Sequence, residues 1–313
     1  MTGSEGPGYG DGDGDGDGDG DGEFAFLGDN ASEAGLSWHG PPAVRRVSAD
    51  VGGGRRVSAL AWGNGPPQLV LLHGGGQNAH TFDTVALALE RPLLAVDLPG
   101  HGRSEWRHDH DYRPAVLACD VAVALEQLAP GRHPVVGMSL GGLAAICLAV
   151  RRPDLVSRLA LVDITPGTNA AKADPVLAFL RGPERFASFD EILARTMAFN
   201  PTRSESSLRR GLSHNAHQLP DGSWTWRWDP AARWRQRDEG PDALWAALSD
   251  LAVPLLLVRG GRSSVVTDDD VAELRRRQPS AEVEVVTDAG HSVQGDQPVA
   301  LAAVLGRFLR RRS

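Results

Sequence analysis

The chain has 313 residues, 41% of them hydrophobic, which is enough for one large α/β domain with an insertion or for two small domains. Its formal charge of -8 lies within residues 1–23, so that residues 24–313 carry no net charge. A neutral body offers no phosphate-binding face, and no apolar stretch approaches the roughly 20 residues that cross a bilayer. We therefore expect neither a nucleic-acid partner nor a membrane.

The N-terminus lacks the basic and hydrophobic regions of a signal peptide. Cys119 and Cys147 have no redox or metal spacing, and both are interpreted as small buried hydrophobes. These features predict a reduced, cytoplasmic protein.

Residues 1–35 are predicted to form a disordered tail. An Asp-Gly repeat fills positions 11–22, and such a sequence buries too little apolar surface to offset the entropy of ordering it. The repeat does not predict a calcium loop, because no register that starts at Asp11, Asp13 or Asp15 puts a glutamate at the twelfth position.

The next part of the chain indicates an α/β sheet. Two moderately apolar segments between residues 43 and 61, separated by three glycines, are typical of an antiparallel pair at a sheet edge. Near-continuous apolar runs then alternate with helical patterns, which is typical of parallel strands covered on both faces. The runs are 69–72, 93–96, 135–138, 159–162, 255–258 and 283–286.

The alternation stops between residues 167 and 250. Helical segments are predicted near 175–180, 190–199 and 204–214, and the region holds five of the eight tryptophans. Trp224, Trp226 and Trp228 alternate as in a short strand that leaves a turn. We interpret 36–166 and 251–313 as two parts of one core. We interpret 167–250 as an insertion, and we expect most of its tryptophan rings to pack its own interior.

Three segments carry the pattern of nucleophilic catalysis. The run 135–138 leads into Gly-x-Ser-x-Gly around Ser139, the pattern of a strand-to-helix turn that needs small residues two positions on either side. The run 69–72 ends in His-Gly-Gly-Gly at 73–76, and His291 follows the last predicted strand. Because a serine hydroxyl needs a base within hydrogen-bond reach, His291 is the predicted partner of Ser139.

Together with Asp-Leu-Pro-Gly-His-Gly-Arg-Ser at 97–104, these segments resemble the four signature segments of the α/β-hydrolase superfamily, in the same order and over most of residues 36–313. The resemblance implies a mostly parallel central sheet flanked by helices, with a helical cap inserted after the sixth strand. It also implies that Ser139 is the nucleophile, His291 the base, and the N–H groups of Gly75 and Leu140 the oxyanion hole, with Gly76 as a substitute for Gly75.

By the same resemblance His73 and Asp97 are structural supports, and His80 and Trp106 are expected at the entrance.

The third triad member departs from the commoner superfamily pattern. Ser263 stands where many relatives have the carboxylate, and Asp268, Asp269 and Asp270 follow in what is interpreted as the first turn of a helix. Asp163 ends the sixth strand, where some relatives place the acid, and a buried aspartate there needs a partner such as His291. Asp163 is the favoured acid, and Asp268, Asp269 and Asp270 remain alternatives.

The predicted function is hydrolysis of a carboxylic ester or lactone through an acyl-enzyme on Ser139, with no metal or organic cofactor. The predicted partner is a small-molecule substrate, and the aromatic-rich cap favours one that is apolar or aromatic. The alternatives are a carbon–carbon bond hydrolase, a cofactor-free haloperoxidase-like esterase, and a non-catalytic small-molecule receptor on the same fold. A dinucleotide site is excluded because residues 73–76 lack the Gly-x-Gly-x-x-Gly spacing. A P-loop is excluded because the sequence has no Gly-Lys-Ser/Thr.

Overall fold

The chain is organised around an eight-stranded sheet, and the computed structural model describes residues 22–169, 171–232 and 240–310. The strands of the sheet are β1 (Val44–Gly52), β2 (Arg55–Trp62), β3 (Val70–Leu72), β4 (Leu93–Val96), β5 (His133–Met138), β6 (Val156–Val162), β10 (Leu255–Gly260) and β11 (Glu282–Val286). Across the sheet they lie in the order β1-β2-β4-β3-β5-β6-β10-β11. The pairs β1–β2 and β2–β4 are antiparallel and the others are parallel. The predicted mostly parallel sheet and its antiparallel edge pair are confirmed.

Helices cover both faces because the strands are apolar on both. In β3, Val70 and Leu72 pack into one apolar cluster, while Leu71 packs into the other. The first cluster is closed by α3 (Pro114–Leu128), α4 (Leu140–Arg151), α8 (Pro241–Ser249) and α9 (Asp268–Arg277). The second is closed by α1 (Leu27–Glu33), the 3-10 turn Ala79–Phe82, α2 (Asp83–Leu89), α10 (Val293–Asp296) and α11 (Pro298–Arg310).

The prediction that both cysteines are buried is wrong for Cys119, which lies on helix α3. Cys147 is buried as expected, but Cys119 is exposed. Its neighbours Leu117, Ala118 and Val121 face the sheet, so Cys119 falls on the opposite side of the helix. No helix within the described ranges is both long and apolar enough to span a membrane.

The N-terminal segment is more ordered than the sequence predicts. Residues 22–35 are not a disordered tail, because α1 buries Leu27 against the second cluster, Ala31 is also buried, and Glu23 forms an ion pair with Arg46. The average composition of residues 1–35 is dominated by the Asp-Gly repeat, so it does not reveal these two apolar residues. The rest of the predicted tail, residues 1–21, lies outside the described residues.

A cap follows β6, as the resemblance implies. It consists of α5 (Asp174–Leu180), β7 (Arg185–Phe186), α6 (Phe189–Phe199), α7 (Glu205–Asn215), β8 (Ala216–Gln218) and β9 (Trp224–Trp226). Its three strands form a small antiparallel sheet in the order β7-β9-β8. A separate apolar cluster, which includes Leu212, Trp226 and Trp228, fills its interior. Most of the described cap tryptophans therefore pack the cap itself, and Trp234 lies outside the described residues.

The predicted cap is too long at its C-terminal end. Residues 241–249 form α8, whose Leu244, Trp245 and Leu248 are buried in the first cluster of the sheet core. Because these side chains pack with α4 and α9, helix α8 belongs to the core.

Candidate active site

Ser139 lies on a strained turn between β5 and α4. Its φ of 50° and ψ of -117° are in a region that non-glycine residues rarely adopt. A Cβ on Gly137 would come within 2.4 Å of the Gly141 carbonyl oxygen, and one on Gly141 within 2.4 Å of the Leu72 carbonyl oxygen. Both glycines of the motif are thus required by close backbone approach, and together they hold the hydroxyl at the carboxyl edge of the sheet.

The turn after β11 brings His291 to Ser139. The His291 Nε2 atom is 3.1 Å from Ser139 Oγ, and Nδ1 is 2.8 Å from Asp163 Oδ2. The three residues come from segments that follow β5, β6 and β11, and they meet because parallel strands end at one edge. With Nδ1–H donating to the carboxylate, Nε2 is left to accept the serine proton.

Asp163 is fully buried and its carboxylate has three donors. Oδ1 accepts the Gly260 N–H at 2.9 Å, while Oδ2 accepts the Ser263 hydroxyl and the His291 Nδ1–H. These bonds offset the cost of burying the charge. Ser263 stands at the position where many relatives have the acid, and its hydroxyl donates to the Asp163 carboxylate.

Two of the three alternative acids, Asp268 and Asp270, have other partners. Thr267 caps α9 in a reciprocal capping box with Asp270, which also pairs with Lys172 at 2.7 Å, and Asp268 pairs with Arg259. Asp269 is the remaining acid of the same first turn. Within the described residues, the carboxylate that hydrogen-bonds His291 is that of Asp163.

The glycine loop after β3 is fixed from below by His73. Its Nδ1–H donates to the Gly74 carbonyl at 2.7 Å, and its Nε2 accepts the Leu98 N–H at 2.9 Å. Burial lowers the pKa of His73 to about 4, so the ring stays neutral in this role. Asp97 accepts the Ala79 N–H at 2.7 Å and pairs with Arg46. Both residues support the loop, as the resemblance implies.

The backbone N–H groups of Gly75 and Leu140 have no acceptor within the described residues. Leu140 is the first residue of α4, where the helix leaves its N–H groups unpaired. Gly75 and Ser139 line the same cavity. Two free donors beside the hydroxyl can receive an oxyanion. Gly76, the substitute donor, has its carbonyl held by the Asn215 side chain of the cap at 2.7 Å.

His80 lies where the core meets the cap, in contact with three elements. Its Nδ1 is 2.9 Å from Asp83 and its Nε2 is 3.0 Å from Glu23, while its ring stacks on that of His214 in α7 at 3.7 Å. Burial lowers the pKa of His80, but Asp83 and Glu23 outweigh it and raise the value to about 9. Burial and the positive His80 lower the pKa of His214 to about 2.

Among the residues that the structure describes, His80, Asp83 and His214 form the group whose ligand atoms, all within 4.8 Å of one another, could hold a metal ion. The two rings are almost parallel, with 10° between their planes, so their nitrogen lone pairs do not converge on one point. Both nitrogens of His80 are also engaged. The cluster is arranged as an ion-pair network.

A cavity of about 920 Å³ lies over Ser139 and His291, between the core and the cap. Apolar parts of its wall include Phe179, Leu180, Phe199 and Trp226. His80 also lines it, as expected, whereas Trp106 is 44% exposed and does not.

Sequence reasoning missed the polar cap residues of this wall, Arg203 and Asn215. They belong to no motif, and only their position in space identifies them.

A model of the Alpha/beta hydrolase family matches residues 69–304. The chain belongs to the α/β-hydrolase family. The esterase Rv0045c of Mycobacterium tuberculosis is 47% identical over 299 residues, which is 93% of this chain and 96% of that protein. A crystal structure of that esterase has a TM-score of 0.82 at 46% identity, covering 92% of this chain and 98% of the other.

A more distant relative of this α/β hydrolase is the 3-hydroxybutyrate-oligomer hydrolase of Cupriavidus necator, 29% identical over 265 residues, 79% of this chain and 90% of the relative. The relationship to a characterised esterase along nearly the whole chain confirms the predicted enzyme class. The α/β hydrolase is an ester-hydrolysing enzyme that acts on a small-molecule substrate.

Proposed function

We propose that Ser139, His291 and Asp163 hydrolyse a carboxylic ester through an acyl-enzyme. His291 Nε2 takes the Ser139 proton as Oγ attacks the ester carbonyl, and the tetrahedral oxyanion receives the N–H groups of Gly75 and Leu140. His291 then gives the proton to the leaving alcohol, and the acyl group stays on Ser139. In the second half His291 takes a proton from water as the water oxygen attacks the acyl-enzyme carbonyl, and it gives that proton to Ser139 Oγ as the acyl bond breaks, which releases the carboxylic acid and the free serine.

The hydrogen-bonded chain from Ser139 Oγ through His291 to Asp163 is the observation that carries this proposal. In it, the buried Asp163 keeps the imidazole in the tautomer whose Nε2 is a free acceptor and stabilises the imidazolium that forms. The strained turn at Ser139 supports the same assignment, because strained backbone conformations cluster at active sites, where the surrounding structure enforces them.

The substrate we propose is a small ester or lactone with an apolar or aromatic portion. The rings of Phe179, Phe199 and Trp226 in the cavity wall support this choice, since they offer contact area to such a group. We also propose a cytoplasmic location and no nucleic-acid partner. The two free cysteines and the uncharged body of residues 24–313 are the supporting features.

The test uses p-nitrophenyl esters and lactones as substrates and a fluorophosphonate as an active-serine label. Ser139→Ala is expected to abolish labelling and to lower kcat by roughly 10⁴-fold or more, because no other group supplies the nucleophile. The control is Ser213→Ala in the cap, whose hydroxyl donates only to the Arg210 carbonyl. Labelling that survives in the Ser139→Ala protein would move the nucleophile elsewhere.

A further inference from the structure

Arg203 holds a positive charge in the cavity wall without a matching negative one. It lies in the loop between α6 and α7, and its Nη2 donates to Ser207 Oγ at 2.8 Å. Its Nε is fully buried and has no hydrogen-bond partner in the described part of the chain. Within the same ranges, no carboxylate lies at ion-pair distance from its guanidinium. A guanidinium that has a buried, unbonded Nε and no carboxylate partner is costly, which indicates that a ligand completes the site.

The guanidinium lies against the short helix that follows the proposed base. A Cβ placed on Gly295 of α10 would be 2.9 Å from Arg203 Nη1 and 3.2 Å from the hydroxyl of Ser292, the residue after His291. Glycine at this position lets the charged group approach the catalytic end of the cavity. The same cavity is lined by Ser139, so a ligand on Arg203 and an ester on Ser139 share one space.

Two other arginines in the wall are paired, which makes Arg203 the exception among them. Arg210 pairs with Glu33 and donates to Asn30 Oδ1 at 2.8 Å, and Arg262 pairs with Asp288 at 2.6 Å. Burial lowers the pKa of Arg203, and Asp296 and Glu33 oppose this from a distance. A guanidinium nonetheless stays charged at neutral pH.

The two acids that influence Arg203 have other partners. Asp296 accepts the Gly290 N–H at 2.8 Å, and Glu33 accepts from Arg210 and Ser204. The remaining charged groups of the wall are the paired His80 and Asp83, and Asp288 with its arginine. None of these carboxylates neutralises Arg203 directly.

We propose that Arg203 is a carboxylate-binding subsite, and that the substrates are esters with a free carboxylate at the far end, such as half-esters of dicarboxylic acids. A planar guanidinium matches a carboxylate with two parallel N–H bonds. One charge is enough for a carboxylate, whereas a phosphate usually takes more donors. The apolar rings of Phe179 and Phe199 line the cavity that would receive a connecting methylene chain. The catalytic part of this inference rests on the proposed function, but the binding part does not.

The kinetic test compares mono-p-nitrophenyl adipate with its neutral methyl ester, which has the same acyl chain. We expect the enzyme to favour the acid by about tenfold or more in kcat/KM, since charged hydrogen bonds are each worth this much. Arg203→Met should lower kcat/KM for the acid by roughly 10- to 100-fold and change the neutral ester less than about threefold.

The matched control is Arg262→Met, which removes a paired cavity arginine and should affect both substrates equally. No preference for the acid in the unaltered enzyme would overturn the proposal. Equal loss on both substrates in Arg203→Met would also overturn it, because that is the result for an arginine that only supports the cap. Arg203→Lys keeps the positive charge but lacks the two parallel N–H donors of the guanidinium, so it should give an intermediate loss of kcat/KM for the acid. This variant provides the test if Arg203→Met does not fold.

Binding is tested separately in the full-length Ser139→Ala protein by calorimetry with monomethyl adipate. We expect binding that is lost on adding Arg203→Met, while inorganic phosphate binds more weakly. Binding without any ester turnover in the unaltered enzyme would refute the proposed function and keep the subsite. Turnover without such binding, or binding of phosphate alone, would refute the carboxylate subsite.

Discussion

Core and cap line one cavity but hold their residues in different ways. Ser139, Asp163 and His291 follow strands of one sheet, and their turns are fixed by backbone contacts and buried hydrogen bonds. The cap has its own apolar cluster and touches the glycine loop through polar side chains, such as Asn215 on the Gly76 carbonyl. The proposed chemistry therefore depends on the core, and the boundary with the cap is where substrate preference can change.

This difference orders the expected effects of substitution. Changes among the proposed triad should lower the rate on every ester, because the same groups serve each reaction. Changes at the boundary between core and cap should act through loop position, charge or stability, with smaller effects. The following variants test that order from the largest effect to the smallest.

Asp163→Asn should have the largest effect among the groups that assist Ser139. The amide cannot accept the His291 Nδ1–H as the carboxylate does, so the imidazole loses the tautomer that accepts the serine proton. We expect kcat/KM for a p-nitrophenyl ester to fall by about 10³- to 10⁴-fold. Steady-state kinetics at saturating and limiting substrate measure it.

Asp268→Asn is the control, because its carboxylate pairs with Arg259 at the start of α9. It should leave kcat/KM unchanged. If the Asp163 variant keeps nearly full activity, the acid has been assigned to the wrong residue.

The sequence predicts the core side of this comparison well. Ser139, His291 and the glycine loop carry short-range signals, because a tight turn or a close backbone approach restricts the residue types allowed there. The contact of Asp163 with His291 is predictable because Asp163 ends an apolar run, and a buried aspartate needs a partner. Ser263 is distinguishable in the sequence only as a departure from the superfamily pattern.

The cap side could not be predicted in the same way. Asn215 ends the amphipathic helix α7 and Arg203 lies in the loop before it, where polar residues are ordinary, and their roles depend on which side chains meet the core. The acidic composition around Leu27 gives no sign that this residue is buried, although its burial holds α1 against the core. Contacts made through space by isolated polar residues leave no periodic signal.

The His80 cluster predicts a pH dependence of stability. The folded protein keeps His80 protonated up to a pKa of about 9, while the unfolded chain loses this proton near pH 6.5. The stabilisation is complete below about pH 6.5 and is lost as the pH rises towards 9. Between pH 7 and 8.5 the free energy of unfolding should fall by roughly 1.7 kcal/mol from this group, a factor of about 20 in the unfolding constant.

Urea unfolding at pH 7 and 8.5 measures this decline, and His80→Gln should remove most of it. The exposed His39 serves as a control through His39→Gln, which should leave the decline unchanged. Parallel declines in the His80 variant and the unaltered protein would show that another group carries the dependence.

Asn215→Ala tests whether the cap positions the oxyanion loop. Its Nδ2 donates to the Gly76 carbonyl at 2.7 Å, and its Oδ1 accepts from Asn78 at 3.1 Å. Losing both bonds should loosen the adjacent Gly75 N–H and lower kcat by about tenfold, with little change in KM. Asn200→Ala is the matched cap control, because its side chain donates to the Thr196 carbonyl of α6 at 2.9 Å, away from the glycine loop, and the variant should leave kcat unchanged. A change in KM alone would mean that Asn215 contacts substrate instead.

Ser263→Ala should have the smallest effect, although Ser263 contacts the proposed acid directly. The variant removes one donor to Asp163 Oδ2, while the Gly260 N–H and His291 still hold the carboxylate. One hydrogen bond of a set is worth a loss of about 2- to 10-fold in kcat/KM. Ser263→Thr keeps a hydroxyl that can donate to Asp163 and should restore the rate. A loss as large as that of Asp163→Asn would mean that the hydroxyl, at the position where relatives have the acid, takes part in catalysis and does not merely orient the carboxylate.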